Sequence, residues 1–129
     1  MTDRRQELLA LTDQFVDAFN RMNLDDVLSF ISEDAVYEDS AGGRHVGHKA
    51  IRIAFEPLVG GSRGRIRFDG EDVLAEVETG KVLASWRLSV DKAGEVSVIR
   101  CIDVLEFQGN KLAKKLAYMK VDKPHLESN

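Results

Sequence analysis

The spacing of the apolar residues changes near residue 65, and this change sets the order of the elements in the fold. Before it, apolar residues recur at steps of three and four, which is typical of helices with one buried face. After it, apolar and polar residues alternate, which is typical of strands in a sheet with one buried face. Helices followed by strands predict an α+β fold.

Three helices are predicted before the change. The first carries an apolar stripe of Leu8, Leu11, Phe15, Phe19 and Met22. A second, shorter helix follows Asn23, a good capping residue. A third runs from residue 49 to residue 56, with Pro57 at or just past its end. Between the second and third helices, residues 35–39 predict a short strand, which the glycine turn at residues 40–43 closes.

The rest of the sequence predicts a meander of antiparallel strands. In residues 82–90, every second residue is apolar, and Trp86 lies on this apolar face. Residues 96–107 and 112–121 flank a short turn that contains a glycine, so they should form a long hairpin. The chain is therefore expected to fold as three helices followed by a sheet.

Length, charge and cysteine content exclude several classes of protein. The 129 residues predict a single domain over residues 1–129. The net charge of −4 has the wrong sign for binding nucleic-acid phosphates. One cysteine, Cys101, permits neither an intrachain disulfide nor a thiolate metal site. No segment has the length and apolarity of a signal peptide or a membrane span, so we expect a cytoplasmic protein with no nucleic-acid or membrane partner.

Asp103 is the first candidate functional residue. Because residues two apart in a strand line the same face, it shares a face with Cys101, Leu105 and Phe107. An apolar setting disfavours a charged carboxylate, and a protonated acid can donate a hydrogen bond to a developing oxyanion. The alternative is that Asp103 pairs with a backbone amide, a lysine or an arginine, or that it faces solvent at an irregular edge.

Asp39 is the second candidate, at the end of the predicted short strand. From this position its side chain can lean over the mouth of a pocket. The alternative is an Asx turn, in which the carboxylate bonds to the backbone of the residues that follow. Two carboxylates, one ionised and one neutral, would form an acid/base pair suited to removing a proton next to a carbonyl group.

Other sequence signals do not predict a site. His45 and His48 are three residues apart, but no third ligand is evident, so neither a metal nor another cofactor is expected. The glycine-rich segment 60–65 follows a helix and precedes a strand, which is the reverse of the order in a phosphate-binding loop. We interpret this segment as a connector.

Four segments occur in a characteristic order and spacing: FVDAFN at 15–20, SEDAVYED at 32–39, GHKAIR at 47–52 and IDVLEF at 102–107. With these segments the chain resembles the nuclear transport factor two-like superfamily, in particular its ketosteroid isomerase and SnoaL-like polyketide cyclase branch. The resemblance implies three N-terminal helices packed in a strongly curved, mostly antiparallel sheet. It also implies a mostly apolar cavity inside this cone and a homodimer.

The resemblance implies roles for both acids. Asp39 falls where ketosteroid isomerases hold the general base, and Asp103 falls where they hold the protonated aspartate of the oxyanion hole. Their oxyanion-hole tyrosine and a supporting tyrosine fall at Phe15 and Phe55. Since losing one oxyanion donor costs about a hundredfold to a thousandfold in rate, efficient steroid isomerisation is not expected. The candidate replacement donors are Tyr37, Trp86 and Tyr118.

Large apolar side chains would line or underlie the cone that the resemblance implies. They contact a ligand in one interpretation and simply fill the core in the other. They are Phe15, Phe19, Phe55, Trp86, Leu105, Phe107 and Tyr118.

The leading hypothesis is an isomerase or cyclase that acts on a small, largely apolar compound with a carbonyl group. Asp39 would remove the proton, and Asp103 would hydrogen-bond the enolate. The alternative is a non-catalytic domain with the same cone fold, which binds a hydrophobic ligand or serves in assembly. Epoxide hydrolysis ranks behind both, because it needs an arginine beside the acids and Arg100 lies on the opposite strand face from Asp103.

Overall fold

The computed structural model describes residues 3–121. Its helices are α1 (Arg4–Asn20), α2 (Leu24–Ser29) and α3 (His48–Val59). Its strands are β1 (Ile31–Glu38), β2 (Arg44–Val46), β3 (Arg65–Glu76), β4 (Lys81–Lys92), β5 (Glu95–Gln108) and β6 (Lys111–Met119). The α+β order is confirmed. The predicted domain of residues 1–129 extends beyond the described residues at both ends.

The six strands form one curved, open sheet in the order β2-β1-β6-β5-β4-β3. All neighbouring strands are antiparallel except β1 and β6, which are parallel. The helices cover the concave face of this sheet, and the core lies between them. The predicted long hairpin is confirmed as β5 and β6, and the face of β4 that carries Trp86 is buried as expected.

The helix boundaries follow local chemistry. Asp3 accepts a hydrogen bond from the N–H of Arg5 and so caps α1, and Asn23 caps α2 in the same way through the N–H of Asp26. Helix α3 continues to Val59 instead of ending near Pro57. The proline is tolerated because it lies on the exposed side of the helix, where water can bind the carbonyl that its missing N–H leaves free.

Two strand features differ from the sequence prediction. Strand β1 begins at Ile31, four residues before the predicted start, and β2 was not predicted. Three residues are too few to show a period. Strand β2 forms because the turn after β1 brings it back antiparallel, with His45 opposite Tyr37.

An irregularity in β6 reverses the two faces of that strand. Leu112 pairs with Phe107, but Lys114 pairs with Glu106, so Ala113 is an extra residue in β6. A shift of one residue moves every later side chain to the other face of the sheet. Lys115 therefore faces the core, two strands from β4.

Tyr118 is turned away from the core for the same reason. Its side chain is on the outer face of the sheet and is 53% exposed, opposite Ile102 of β5. The expectation that Tyr118 lines the interior is thus corrected, and it supplies no hydrogen-bond donor there. Other exposed apolar side chains share this outer face: Leu74, Leu83, Val96 and Val98.

Among residues 3–121, no helix has both the length and the apolarity to cross a membrane.

Candidate functional site

Four neighbouring strands place candidate functional side chains in one row across the concave face of the sheet. His45 of β2 pairs with Tyr37 of β1, and Tyr37 pairs with Lys115 of β6. Lys115 in turn pairs with Leu105 of β5, two residues from Asp103. Directly paired residues, and residues two apart in a strand, share a face. His45, Tyr37, Lys115 and Asp103 therefore face the helices together.

Asp103 lies at the inner end of this row and is only 7% exposed. Its Oδ2 accepts a hydrogen bond of 2.9 Å from Nε1 of Trp86, and its Oδ1 accepts one of 3.3 Å from Nζ of Lys115. Both partners donate, so Asp103 acts as an acceptor. The pairing with a lysine is the alternative that the sequence left open. The resemblance implied that Asp103 is protonated and donates a hydrogen bond, whereas in these contacts Asp103 accepts.

Lys115 was not expected at this site. Its side chain is 12% exposed, and its ammonium group lies 4.8 Å from the ring centre of Tyr37 and 5.8 Å from that of Phe55. Burial alone would lower the pKa of Lys115, but the charge and hydrogen bond of Asp103, with the Tyr37 phenol, outweigh burial and raise it. Lys115 is therefore an ammonium at neutral pH.

No sequence pattern distinguishes Lys115 from its neighbour Lys114. Simple alternation from the buried Leu112 places Lys114 inward and Lys115 outward. The extra residue Ala113 inverts this assignment. The one signal in the sequence was Asp103 itself, because a carboxylate on an apolar strand face needs a partner.

A small cavity lies between the Asp103–Lys115 pair and helix α1. Its volume is about 10 Å³, which is room for at most about one water molecule. A ligand of several heavy atoms can enter only if surrounding side chains move. The other walls of the cavity are Phe15, Val16, Phe19, Phe68, Trp86 and Leu105.

Four of the seven expected lining residues thus contact the cavity. Phe55 lies behind it, with its ring centre 5.2 Å from that of Phe19 and 4.7 Å from that of Tyr37. Phe107 is buried in the core and is not a wall of the cavity. Tyr118, as described above, lies on the outer face of the sheet.

Asp39 lies at the end of β1 and is not a wall of the cavity. Its Oδ1 accepts hydrogen bonds from the N–H groups of Ala41 (2.9 Å) and Gly43 (2.8 Å), as expected for an Asx turn. Its Oδ2 lies 2.9 Å from Nε2 of His45. A Cβ atom at position 43 would lie closer to Oδ2 of Asp39 than van der Waals contact permits, so any larger residue there would force this carboxylate to shift.

These contacts determine the charge state of Asp39. Burial would raise the pKa of its carboxyl group, but the hydrogen bonds from His45, Gly43 and Ala41 together lower it below its usual range. Asp39 is therefore ionised at neutral pH. Three donors surround its two oxygens, so the carboxylate is already engaged.

Tyr37 connects the two acids. Its ring stacks on that of His45, with ring centres 5.4 Å apart and planes at 26°. Burial, the largest cause, raises the pKa of the Tyr37 phenol, although Lys115 opposes the shift. A continuous series of contacts therefore runs from Asp39 through His45, Tyr37 and Lys115 to Asp103.

Three other residues do not belong to this row. Nε2 of His48 lies 2.6 Å from the carbonyl oxygen of Ile31, so His45 and His48 have separate partners. Arg100 forms an ion pair with Glu71 on the outer face of the sheet. Burial is the main cause that raises the pKa of Cys101 to about 11, which makes the thiol a poor nucleophile. Within residues 3–121, no three His, Cys, Asp or Glu side chains are grouped as metal ligands.

The sequence matches the model of a known domain family, the SnoaL-like domain, over residues 12–115. The chain belongs to the SnoaL-like domain family. Every residue of the row described above lies within the matched part of this SnoaL-like chain. Among curated proteins, none matches the sequence.

Solved structures share the fold of this SnoaL-like chain. Bal32a, from a soil-derived mobile gene cassette, is 19% identical and has a TM-score of 0.77, with 91% of this chain and 92% of Bal32a covered. A protein of Xanthomonas campestris pv. campestris, proposed to be a polyketide cyclase, is 22% identical with a TM-score of 0.75, covering 90% and 92%.

A third structure is that of SalBIII, an epoxide hydrolase/cyclase-like enzyme of pyran ring formation in the polyether salinomycin. It is 14% identical and has a TM-score of 0.79, with 89% of this chain and 92% of SalBIII covered. At such identities the likeness is one of fold. The arrangement of side chains in this SnoaL-like chain has to be interpreted from its own residues.

Proposed function

We propose that this chain is an enzyme of the isomerase or cyclase type, which removes a proton next to the carbonyl group of a small, largely apolar substrate. The observation that carries the proposal is the buried Asp103–Lys115 ion pair beside an aromatic cavity. Burying two charges is often no more stabilising than burying two apolar side chains of the same size. An ion pair at this position is therefore better explained by chemistry than by stability.

Lys115 takes the role of the oxyanion donor. An ammonium group has three N–H donors, and one of them is directed at Asp103. The others are available to the oxygen of an enolate, whose charge is strongly stabilised in a site with little water. Lys115 thus takes the place of the family tyrosines, whose positions are occupied here by Phe15 and Phe55. Asp103 holds Lys115 in position, and Trp86 in turn binds Asp103.

The base lies at the other end of the row, at Asp39 and its partner His45. Proton removal breaks a C–H bond next to the carbonyl, and the electron pair forms the enolate. An isomerase returns the proton to another carbon of the same substrate. A cyclase instead uses the enolate carbon to form a new bond within the substrate.

Hydrogen exchange and isomerisation of small ketones test this proposal. In D₂O, the wild-type chain is expected to catalyse deuterium uptake next to the carbonyl of 2-tetralone and conversion of 3-cyclohexen-1-one to its conjugated isomer. Lys115→Met should reduce both rates by about a hundredfold or more, as loss of an oxyanion donor does. Lys114→Met is the matched control, since Lys114 lies on the outer face and should be dispensable. Equal rates in the two variants would contradict the role of Lys115.

The second candidate function is a domain that binds a hydrophobic ligand without changing it. The phenylalanines at the two positions where the family resemblance places tyrosines, Phe15 and Phe55, favour this alternative because they leave the interior without those hydroxyl groups. Binding of 2-tetralone by the wild-type chain without any deuterium uptake would support it over the enzyme. A homodimer, implied by the family resemblance, stays a prediction under either function.

A further inference from the structure

We propose that the imidazole of His45 takes the proton from the substrate through its Nδ1 atom, and that Asp39 is the residue that positions this imidazole. The inference rests on the proposed function, because it names the base of that reaction. It also changes the role of Asp39, which the family resemblance placed in direct contact with the substrate.

The hydrogen bond between Asp39 and His45 fixes where the proton lies. The Asp39 carboxylate is ionised and can only accept, so the proton in the 2.9 Å contact belongs to Nε2 of His45. In a neutral imidazole with a proton on Nε2, Nδ1 carries a lone pair and is the basic atom. Asp39 therefore selects the tautomer in which Nδ1 is ready to accept a proton.

Nδ1 is also accessible. Within residues 3–121, Nδ1 has no hydrogen-bond partner. It is not among the buried polar atoms of these residues that lack a partner, so it is open to solvent. The His45 side chain is 27% exposed, so a ligand can reach it. The two oxygens of Asp39, by contrast, are already surrounded by Ala41, Gly43 and His45.

The position of His45 suits a base that works with Lys115. The His45 ring centre lies 5.4 Å from the ring centre of Tyr37, and the Lys115 ammonium lies 4.8 Å from the same point. His45 and Lys115 lie on the two strands that flank β1, so base and oxyanion donor stand on either side of Tyr37. A substrate whose carbonyl oxygen binds Lys115 has to lie across Tyr37 for its neighbouring carbon to meet His45.

The proton transfer balances with these groups alone. The C–H bond breaks, its electrons pass into the enolate, and the proton moves to Nδ1. The imidazolium that forms has a negative partner in Asp39, and the enolate oxygen has a positive partner in Lys115. Reversal of the transfer at a second carbon completes an isomerisation and regenerates the neutral imidazole.

The tautomer of His45 tests the positioning role without any substrate. In long-range ¹H–¹⁵N NMR spectra of the full chain at a pH where His45 is neutral, we expect the proton on Nε2. Asp39→Asn should weaken the preference for the tautomer with the proton on Nε2. The His48→Gln spectrum shows which signals belong to His48, so that those of His45 can be assigned. A proton on Nδ1 in the wild-type chain would overturn the proposal.

Turnover of 2-tetralone tests the catalytic role. His45→Gln should lower kcat for deuterium uptake by about a hundredfold or more with a smaller effect on KM, as loss of a general base does. Added imidazole should restore part of the rate of His45→Ala, which a purely structural role would not permit. His48→Gln is the matched control and should keep the wild-type rate.

The outcomes separate this inference from the proposed function. If Lys115→Met abolishes uptake while His45→Gln keeps the wild-type kcat, the enzyme assignment stands and the role of His45 is wrong. If the wild-type chain catalyses no uptake from either ketone, the proposed function and the role of His45 both fail.

Discussion

Nζ of Lys115 lies 3.3 Å from Oδ1 of Asp103, and this ion pair is enclosed almost entirely by aromatic and aliphatic side chains. The indole of Trp86 binds the other oxygen of the same carboxylate. The two charges therefore depend on each other for compensation, and this dependence can be measured.

Removing one partner of the pair should destabilise the protein strongly. Lys115→Met leaves the Asp103 carboxylate buried without its cation, which should lower the free energy of unfolding by about 3–5 kcal/mol. The double variant Asp103→Leu/Lys115→Met should recover most of this loss and still lack activity. Urea denaturation of the three proteins checks the prediction. A double variant as unstable as the single one would show that the pair itself stabilises the fold.

Shortening Phe15 should open the cavity at a cost in stability. Phe15→Ala removes a buried ring from the cavity wall, which should cost about 3–5 kcal/mol of unfolding free energy. The variant should bind 2-tetralone more tightly than the wild type, because the ligand no longer displaces the ring. Trp86, the only tryptophan, lines the cavity and reports binding by fluorescence.

Ile53→Ala is the control for this experiment. Ile53 lies on α3, is 64% exposed and is not a wall of the cavity, so its truncation should change stability by at most about 0.5 kcal/mol. Weaker binding of 2-tetralone to Phe15→Ala than to the wild type would indicate that the ring contacts the ligand directly.

The Asp39 turn should make stability depend on acidity. Since the folded-state pKa of Asp39 lies below the ordinary value of about 3.9, its contribution is fully present above that value. The contribution is lost as the pH falls through the lower, folded-state pKa. The stability difference between the wild type and Asp39→Asn should therefore shrink as the pH falls below about pH 4. Denaturation curves at a series of pH values below about 5 test this, and a difference that stays constant or grows over that range would contradict it.

Cys101 should be unreactive in the native protein. Burial, with a smaller contribution from the charge of Asp103, raises the pKa of its thiol to about 11, so little thiolate exists at pH 8. Reaction with iodoacetamide should be much slower for the native chain than for the chain unfolded in urea. Equal rates for both would show that the thiol is exposed and ionised.

The apolar outer face of the sheet should hold two chains together. Leu83 is exposed on this face between Leu74 of β3 and Val104 of β5, and Leu83→Glu should convert a homodimer into a monomer, as measured by light scattering during gel filtration. Ile53→Glu places the same charge on α3 and should leave the dimer intact. A wild-type chain that is monomeric at micromolar concentration would contradict the prediction.

The sequence predicts the fold well because both periods are long enough to recognise. Helix α1 and strand β4 each repeat their pattern several times, and each buries the predicted face. Strand β2 has three residues and no pattern of its own, so only its pairing with β1 defines it.

The site was predicted less completely for a related reason. Asp103 was identified from its neighbours in β5, and a lysine was among its expected partners. One extra residue in β6 decides which lysine pairs with Asp103 and turns Tyr118 away from the core. Alternation of apolar and polar residues alone does not reveal this extra residue. The volume of the cavity depends on how the rings of α1 pack against Trp86, which also lies beyond sequence patterns.

The extra residue Ala113 also affects how relatives of this chain are aligned. In an alignment without a gap at this position, a relative that lacks the bulge would have its inward residue placed opposite Lys114. A comparison of that kind would score Lys115, the proposed oxyanion donor, as variable and would treat the surface residue Lys114 as its counterpart. The position of a single gap in β6 thus decides whether Lys115 is recognised in other members of the family.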